Sequence, residues 1–345
     1  MISAIQNISQ ATIFGSHNAK IYKGGILAIL WQSFIGFLQL IPRMIRKDFD
    51  FVFVGFFGQL LTRMIALFVK KPIVLDMFVS AFDTLVEDRN ITDNNSLLSR
   101  YLFTLDKQSG KRATLIFVDT HAQAEYYHDT FGISVDKMKR VFVGCDEVLF
   151  HPLPEKPESC TVLYYCSYLP LHGVDVVVEA AELLQADTSI RFKIIGRGIE
   201  FGKIQKLIQE RQISNIELAA PVPVEQLPFE IQNSIICLGG HFGASSKACR
   251  VIPGKVFQMI AMGKPVIVGD NAANRELLTH EVDSWFCEMN NPEALANAVS
   301  VLYHNKALRN QIAGGALKTY QREAKSQLLK SIVQNSIIDA LDFHE

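Results

Sequence analysis

The sequence predicts two α/β domains, each built on a parallel sheet of the Rossmann kind, and three observations carry that prediction. Short β-branched or aromatic runs alternate with longer stretches of helical periodicity along nearly the whole chain, the pattern of repeated strand–helix–strand units. At 345 residues the chain exceeds what a single hydrophobic core usually supports. Midway, the segment His151–Ser159 carries three prolines among mixed charges, which suits an exposed linker better than a regular element. The expected domains are residues 1–150 and 151–322, followed by a terminal helix over 323–345, with the C-terminal helices packing back on the first domain.

In the first half the strands fall at Ala11–Phe14, Asp50–Gly55, Pro72–Asp76, Ala113–Asp119 and Arg140–Gly144. The last four end on glycine or aspartate, residues that favour the passage from strand to loop. The second half repeats the rhythm at Thr161–Cys166, Arg191–Gly196, Asn215–Leu218, Ile235–Gly240, Pro265–Asp270 and Ser284–Met289. After the first of these, Asp175, Glu179 and Glu182 share one helical face while valine, alanine and leucine fill the rest, so this helix packs on a sheet. Another helix begins near Pro253, whose fixed φ suits a first turn, and stops at Gly263 ahead of Pro265. From Asn305 to the end the chain reads as two polar-faced helices.

Composition narrows the function classes. Hydrophobic residues at 49% against 20% charged exclude a disordered chain, and a formal net charge of −1 gives no general pull toward nucleic acid. Cys145, Cys160, Cys166, Cys237, Cys249 and Cys287 form no C-x-x-C pair, so they read as reduced thiols rather than zinc ligands or disulfides. The first residues show no basic region followed by a continuous apolar run, which points to a cytoplasmic protein. Two apolar stretches, Gly24–Ile41 and Phe51–Val69, approach membrane-spanning length but are interrupted by Gln32, Ser33 and Gln39 in one and by Gly55, Gln59 and Arg63 in the other. They read as a buried helix and a buried strand; the alternative is a helix lying on the inner face of a membrane with basic flanks.

Ligands of open parallel sheets bind at the carboxyl ends of strands, where helix N-termini present free N–H groups to anions. Four loops of the second half qualify: Ser167–Gly173 with His172; Gly196–Gly198; His241–Arg250, running on to Lys255; and Asn271–Glu276 with Arg275. The third combines Gly243, three cations (Lys247, Arg250 and Lys255) and a helix start, the ingredients of a diphosphate cradle. Gly196 and Gly198 lack the third glycine of a dinucleotide fingerprint, which leaves nucleotide approach and a simple tight turn both open and disfavours a nicotinamide dehydrogenase.

These residues resemble the donor-binding domain of retaining glycosyltransferases of the GT-B fold, grouped as family 4 (group 1). The resemblance runs in order from Gly173-Val174-Asp175 through IIGRG (Ile194–Gly198) and FQMIAMGKPVIVGD (Phe257–Asp270) with ANREL (Ala273–Leu277) to NPEALANAVSVL (Asn291–Leu302). In the first half it rests on Phe51–Gly55, Lys71–Asp76, the strand ending at Asp119–Thr120, and Val143–Pro152. It implies two Rossmann-like domains facing across a cleft, and transfer of a sugar from a nucleotide sugar to a lipid-linked or polysaccharide acceptor. No cofactor and no fixed metal is implied, because no D-x-D motif sits at a suitable strand end. The family places two glutamates eight positions apart where this chain has Arg250 and Gln258, and an Arg and a Lys where it has Ser167 and His172. The diphosphate contacts then move to Lys247, Arg250 and Lys255, and Gln258 offers the ribose a neutral amide.

The resemblance thus implies Arg250, Lys255 and His172 as catalytic residues and Ser167, Gly196, Gly198, Gly243, Lys247, Gln258, Arg275 and Glu276 as donor-binding residues. Asp76, Ser80, Asp83, Thr120 and His121 are acceptor-side candidates; each also reads as a helix cap or turn residue. No glycine-rich loop precedes Ala11, so the acceptor side is shortened or rebuilt. Two readings from other classes stay open: a catalytically silent GT-B subunit that binds a partner transferase or a nucleotide sugar, which the missing acidic pair favours, and a nucleotide-sugar epimerase.

Overall fold

The computed structural model describes residues 35–42, 45, 49–89, 91–154 and 160–342, with the side chains of Cys160 and Thr161 excepted. The strand expected at Ala11–Phe14, the first part of the stretch Gly24–Ile41 and residues 155–159 of the proline-rich segment lie outside the described residues. The chain forms two compact units. One holds the described residues up to Val141 together with those from Leu329 onward; the other is Phe142–Leu328. The division therefore falls ahead of the proline-rich segment, and the first unit is completed by the end of the chain.

The first unit carries a parallel sheet in the order β1 (Val52–Val54), β2 (Ile73–Asp76), β3 (Leu115–Val118), β4 (Met138–Arg140). Side chains alternate across a strand. Ile73, Leu75, Ile116 and Val118 therefore enter one core with Ile65, Tyr127 and Phe131, while Val74, Leu115 and Phe117 enter another with Val333 and Ile337. Burial on both faces explains why these strands read as continuous apolar runs. The first face is covered by helices α1 (Gln59–Ile65), α2 (Leu97–Arg112) and α3 (His121–Phe131). The second is closed by the terminal helix, as expected. The strand expected at Arg140–Gly144 is corrected to Met138–Arg140. After Val141 donates to the Val118 carbonyl, β3 has no further residue to pair with, and Phe142, where the second unit begins, packs on Phe257 of that same unit. Phe51–Val69 divides into β1 and α1, and no helix among the described residues is long and apolar enough to cross a membrane.

The second unit carries a six-stranded parallel sheet in the order β7 (Ile216–Ala219), β6 (Phe192–Gly196), β5 (Cys160–Cys166), β8 (Ser234–Gly240), β9 (Val266–Gly269), β10 (Trp285–Cys287). All six strands stand where the sequence expects them, within a few residues. Helix α4 (Val174–Leu183) buries its valines and alanines against the sheet and turns Asp175, Glu179 and Glu182 toward Lys203 and Arg211. Helices α5 (Phe201–Glu210), α6 (Leu227–Gln232), α7 (Gly254–Ala261), α8 (Ala272–Arg275), α9 (Pro292–His304) and α10 (Lys306–Thr319) complete the unit. Helix α11 (Ser326–Asp342) follows, and from Leu329 onward it belongs to the first unit. The expectation of two α/β domains on parallel sheets is borne out.

Candidate functional site

Chain order in the second sheet reverses between β5 and β8, and in open parallel sheets the carboxyl ends of the strands flanking such a reversal are where ligands bind. The two loops are tied together there. The Tyr164 hydroxyl donates to the His172 carbonyl at 2.7 Å, and the Gly243 N–H donates to the Leu171 carbonyl at 3.2 Å. Gly173 sits at φ 61°, and a Cβ on it would collide with the backbone of Phe242 and Gly243, so only glycine lets the loops approach this closely. Gly243 is pressed in the same way against Pro170 and Leu171.

Two helices begin at this point without a side-chain cap, α4 after Gly173 and α7 after Pro253. Elsewhere in the unit Asn271, Asn291 and Asn305 cap α8, α9 and α10 with their own side chains, while α5 and α6 also start without a side-chain cap. Open helix starts leave N–H groups and the positive end of the helix dipole for an anion.

Lys255 lies in the first turn of α7 and is only 9% exposed, and its Nζ has no hydrogen-bond partner. The ammonium rests 4.5 Å above the centroid of the Tyr164 ring, a contact that offsets part of its desolvation. Burial pushes its pKa down to about 8, against a smaller upward pull from Cys166. His172 is 8% exposed and stacks on His241, with ring centroids 5.3 Å apart and planes at 19°. Burial, reinforced by the charge of Lys255, pushes the His172 imidazole down to about 2. Because the Leu169 N–H donates to its Nδ1 at 3.3 Å, neutral His172 carries its proton on Nε2.

The remaining sequence candidates fall into place around this centre. Lys247 sits half-buried in the single 3-10 turn Ser246–Cys249, and Arg250 closes that turn, buried and donating to Ser246. Gln258 accepts from the Tyr165 hydroxyl at 2.7 Å, so its carbonyl is engaged within the protein and its NH2 is what it offers a ligand. Ser167 is exposed, and its carbonyl lies against Gly198 as the Cys166 carbonyl lies against Gly196; a Cβ at either glycine would overlap those atoms, so both serve to seat the β6 loop on the β5 loop. Arg275 is held on the surface by a bidentate pair with Asp270 at 2.6 and 2.7 Å, and Glu276 ends the short helix α8.

The acceptor-side candidates lie in the first unit. Burial raises the Asp76 carboxyl to about 6, against a lowering hydrogen bond from the Phe78 N–H. Ser80 is fully buried and donates to Asp106 at 2.7 Å, while its own Oγ accepts from the Asp83 N–H at 3.0 Å. Thr120 caps α3 by accepting from the Gln123 N–H at 3.0 Å, and His121 opens that helix on the exposed side.

Three residues outside the sequence candidates organise these places. His241 is 4% exposed, and its Nδ1 has no hydrogen-bond partner. Its sequence signal was its place directly after Gly239-Gly240 at a strand end. Asn274 donates to the Gly269 carbonyl at 2.8 Å and to that of Gly240 at 3.4 Å, fixing the ends of β8 and β9. Asp106 gave no signal, since a carboxylate inside a predicted helix reads as a surface residue. Among the described residues no three His, Cys, Asp or Glu side chains converge as a metal site, and Cys145, Cys166, Cys237, Cys249 and Cys287 are free thiols.

Comparison with known proteins fits this geometry. The family model described as glycosyl transferases group 1 matches residues 147–319. An uncharacterised glycosyltransferase of Methanocaldococcus jannaschii is 24% identical over 150 residues, which are 44% of this chain and 40% of that protein, so the match spans well under half of the relative. Among solved structures, sucrose-phosphate synthase of Thermosynechococcus elongatus superposes with a TM-score of 0.73 at 12% identity over 92% of this chain and 80% of its own. HepE of Anabaena, solved with UDP, superposes with a TM-score of 0.70 at 13% identity over 87% of this chain and 82% of its own, and HepE has also been solved with UDP-glucose. At these identities the likeness establishes the fold alone, two α/β units on parallel sheets of the GT-B type.

Proposed function

Because the chain belongs to the group 1 glycosyl transferases, we propose that it transfers a sugar from a nucleoside diphosphate sugar to a lipid-linked or polysaccharide acceptor, with retention of anomeric configuration. The observation that carries the reading is Lys255: a buried ammonium with no hydrogen-bond partner, in the first turn of an uncapped helix at the strand-order reversal. Burying an unpaired charge is costly, and a diphosphate is the kind of ligand that offsets the cost.

In this reading the open starts of α4 and α7 and the cations Lys255, Lys247 and Arg250 neutralise the charge that grows on the diphosphate as the bond to the sugar breaks. Such groups favour the transition state over the ground state because that charge is largest when the leaving group departs. The reading takes Lys255, Lys247 and Arg250 as the source of positive charge and assigns no resident metal. The NH2 of Gln258 is left to meet the ribose. Uridine is the proposed base, on the likeness to HepE solved with UDP. Retention rests on the resemblance of the second unit to retaining enzymes. For the acceptor, the first unit exposes Leu67 and Phe68 just ahead of Lys70 and Lys71, a pairing of apolar and basic groups that suits contact with the inner face of a membrane and a lipid-linked acceptor.

Thermal-shift measurements against UDP, GDP, ADP, dTDP and CMP sugars test the donor site. Stabilisation by one nucleotide class in the wild type, lost in Lys255→Met, is the expected result; no shift with any of them overturns it. Binding without turnover on glycan or lipid-linked acceptors would instead favour the silent subunit, the reading suggested by Arg250 and Gln258 at the places of two glutamates.

A further inference from the structure

The diphosphate reading uses Lys255, Lys247 and Arg250 and gives no role to the buried pair His172 and His241, of which His241 is the one with an unpartnered ring nitrogen. His241 stands directly after β8, at the strand-order reversal, with its ring stacked on His172 and its Nδ1 without a hydrogen-bond partner. A core histidine in a structural role normally has a ring nitrogen satisfied within the protein, as buried His172 does by accepting from the Leu169 N–H at 3.3 Å. We propose that His241 is a further ligand of the donor's diphosphate and that it binds there as the imidazolium, taking up a proton from solvent when the nucleotide arrives.

The proposal rests on the diphosphate reading and deepens it. The groups that act on His241 come from three sides: Lys255 from α7, His172 from the β5 loop, and Lys247 from its own loop, all of them basic. Beyond them, Cys166 lies near Lys255, Tyr164 holds the His172 carbonyl, and Asp270 at the end of β9 is already paired with Arg275. No carboxylate is among the groups that set the His241 charge. With basic neighbours and little solvent the imidazole is held neutral, well below its ordinary range, burial being the larger cause. An entering diphosphate reverses the balance, because two negative charges now face the same nitrogen. The imidazolium N–H then donates to a phosphate oxygen, and the proton returns to solvent as the nucleoside diphosphate leaves. This supplies a cation where the family's Arg and Lys are replaced by Ser167 and His172, without a further permanent charge beside Lys255, Lys247 and Arg250.

Isothermal titration of UDP-glucose into the full chain between pH 6 and 7, in buffers of differing ionisation enthalpy, tests the proposal. UDP-glucose is chosen over UDP because its diphosphate has no group titrating in this range, whereas a terminal phosphate has a pKa of about 6. Lys255 is already protonated there, so it contributes little. The expected result is uptake approaching ~1 proton per nucleotide, with affinity falling ~10-fold per pH unit while pH stays below the pKa of the bound imidazolium. In His241→Asn, uptake should vanish while UDP-glucose still binds, more weakly and without the pH slope. Binding to the wild type with no proton uptake overturns the role of His241 and leaves the diphosphate reading standing. Uptake that persists in His241→Asn and His241→Gln assigns the proton elsewhere and also overturns it. Absence of UDP-glucose binding at every pH, with the other nucleotide sugars equally silent, overturns both.

Discussion

Each unit buries an ionisable group at the carboxyl end of its sheet, and the two are treated in opposite ways. In the first unit, Asp106 on α2 accepts from the Ser80 hydroxyl at 2.7 Å, from the Phe82 N–H at 2.7 Å and from the Ala81 N–H at 3.2 Å. In the second, Lys255 and His241 are also buried, yet neither the Lys255 Nζ nor the His241 Nδ1 has a hydrogen-bond partner. The contrast extends to the helices. Ser96 and Thr120 cap α2 and α3 beside the Asp106 cluster, whereas α4 and α7 start uncapped beside the cations; away from these two places both units hold uncapped helices, α1 in the first and α5 and α6 in the second. A buried charge whose partners are all in the protein holds the fold; one whose partners are missing is kept for a ligand. The two clusters should therefore fail differently.

The largest effect is expected at Asp106. Asp106→Ala strands two buried donors and a half-buried one and should destabilise the first unit by about 3–5 kcal/mol. Hydrogen exchange at β2 and β3 reads this directly, because the two units need not unfold together. Protection retained in that sheet would mean that the Ser80–Phe82 turn finds other acceptors, and the contrast between the units would weaken.

Next comes pH. Burial raises Asp106 to about 6, against the lowering effect of its hydrogen bonds. Its folded pKa thus exceeds its unfolded value, so the folded state binds more protons between pH 4 and 6. The stability of the first unit should fall as pH rises through that window, by about 3 kcal/mol from this group, and be flat on either side. Asp106→Asn should remove this group's share of the slope and leave that of Asp76, which burial also raises to about 6. Urea unfolding followed by exchange at the Leu115–Val118 amides checks it.

Lys255→Met should do the reverse of Asp106→Ala. Replacing an unpaired buried ammonium with an apolar chain of similar length leaves stability unchanged or raises it. Affinity for UDP-glucose should fall ~100-fold, the scale of removing one charged contact to a diphosphate. A drop in melting temperature with affinity intact would make Lys255 a structural residue, and the comparison between the units would collapse.

The same contrast explains how much was legible in the sequence. The parallel strands are covered on both faces, so they stand out as unbroken apolar runs, and the loops at their ends could be searched for cations and glycines. Lys255 was found this way, at a helix start marked by Pro253. The end of β4 was not legible, because a strand stops where its partner stops and β3 ends at Val118. Asp106 and His241 were hidden for a related reason. What matters about Asp106 is its meeting with a turn 24 to 26 residues away, and what matters about His241 is its stacking on His172 from a different strand end. Neither separation leaves a periodicity in the chain.

The smallest effect is the most discriminating for the acceptor side. Thr120 ends the β3 loop just as Gly173 ends the β5 loop, but its Oγ1 closes the first turn of α3 on the Gln123 N–H. Thr120→Ala should cost about 1 kcal/mol of first-unit stability, seen as faster exchange at the start of α3, and Thr120→Ser should recover most of it. If Thr120 is a cap alone, turnover at saturating donor and acceptor stays at the wild-type level in both variants, since α3 remains folded in either. A loss of turnover in Thr120→Ala that Thr120→Ser restores without a matching change in exchange would show that the hydroxyl also meets the acceptor. The first unit would then hold an open group of its own, and the division between a closed unit and an open one would need to be drawn within α3 instead.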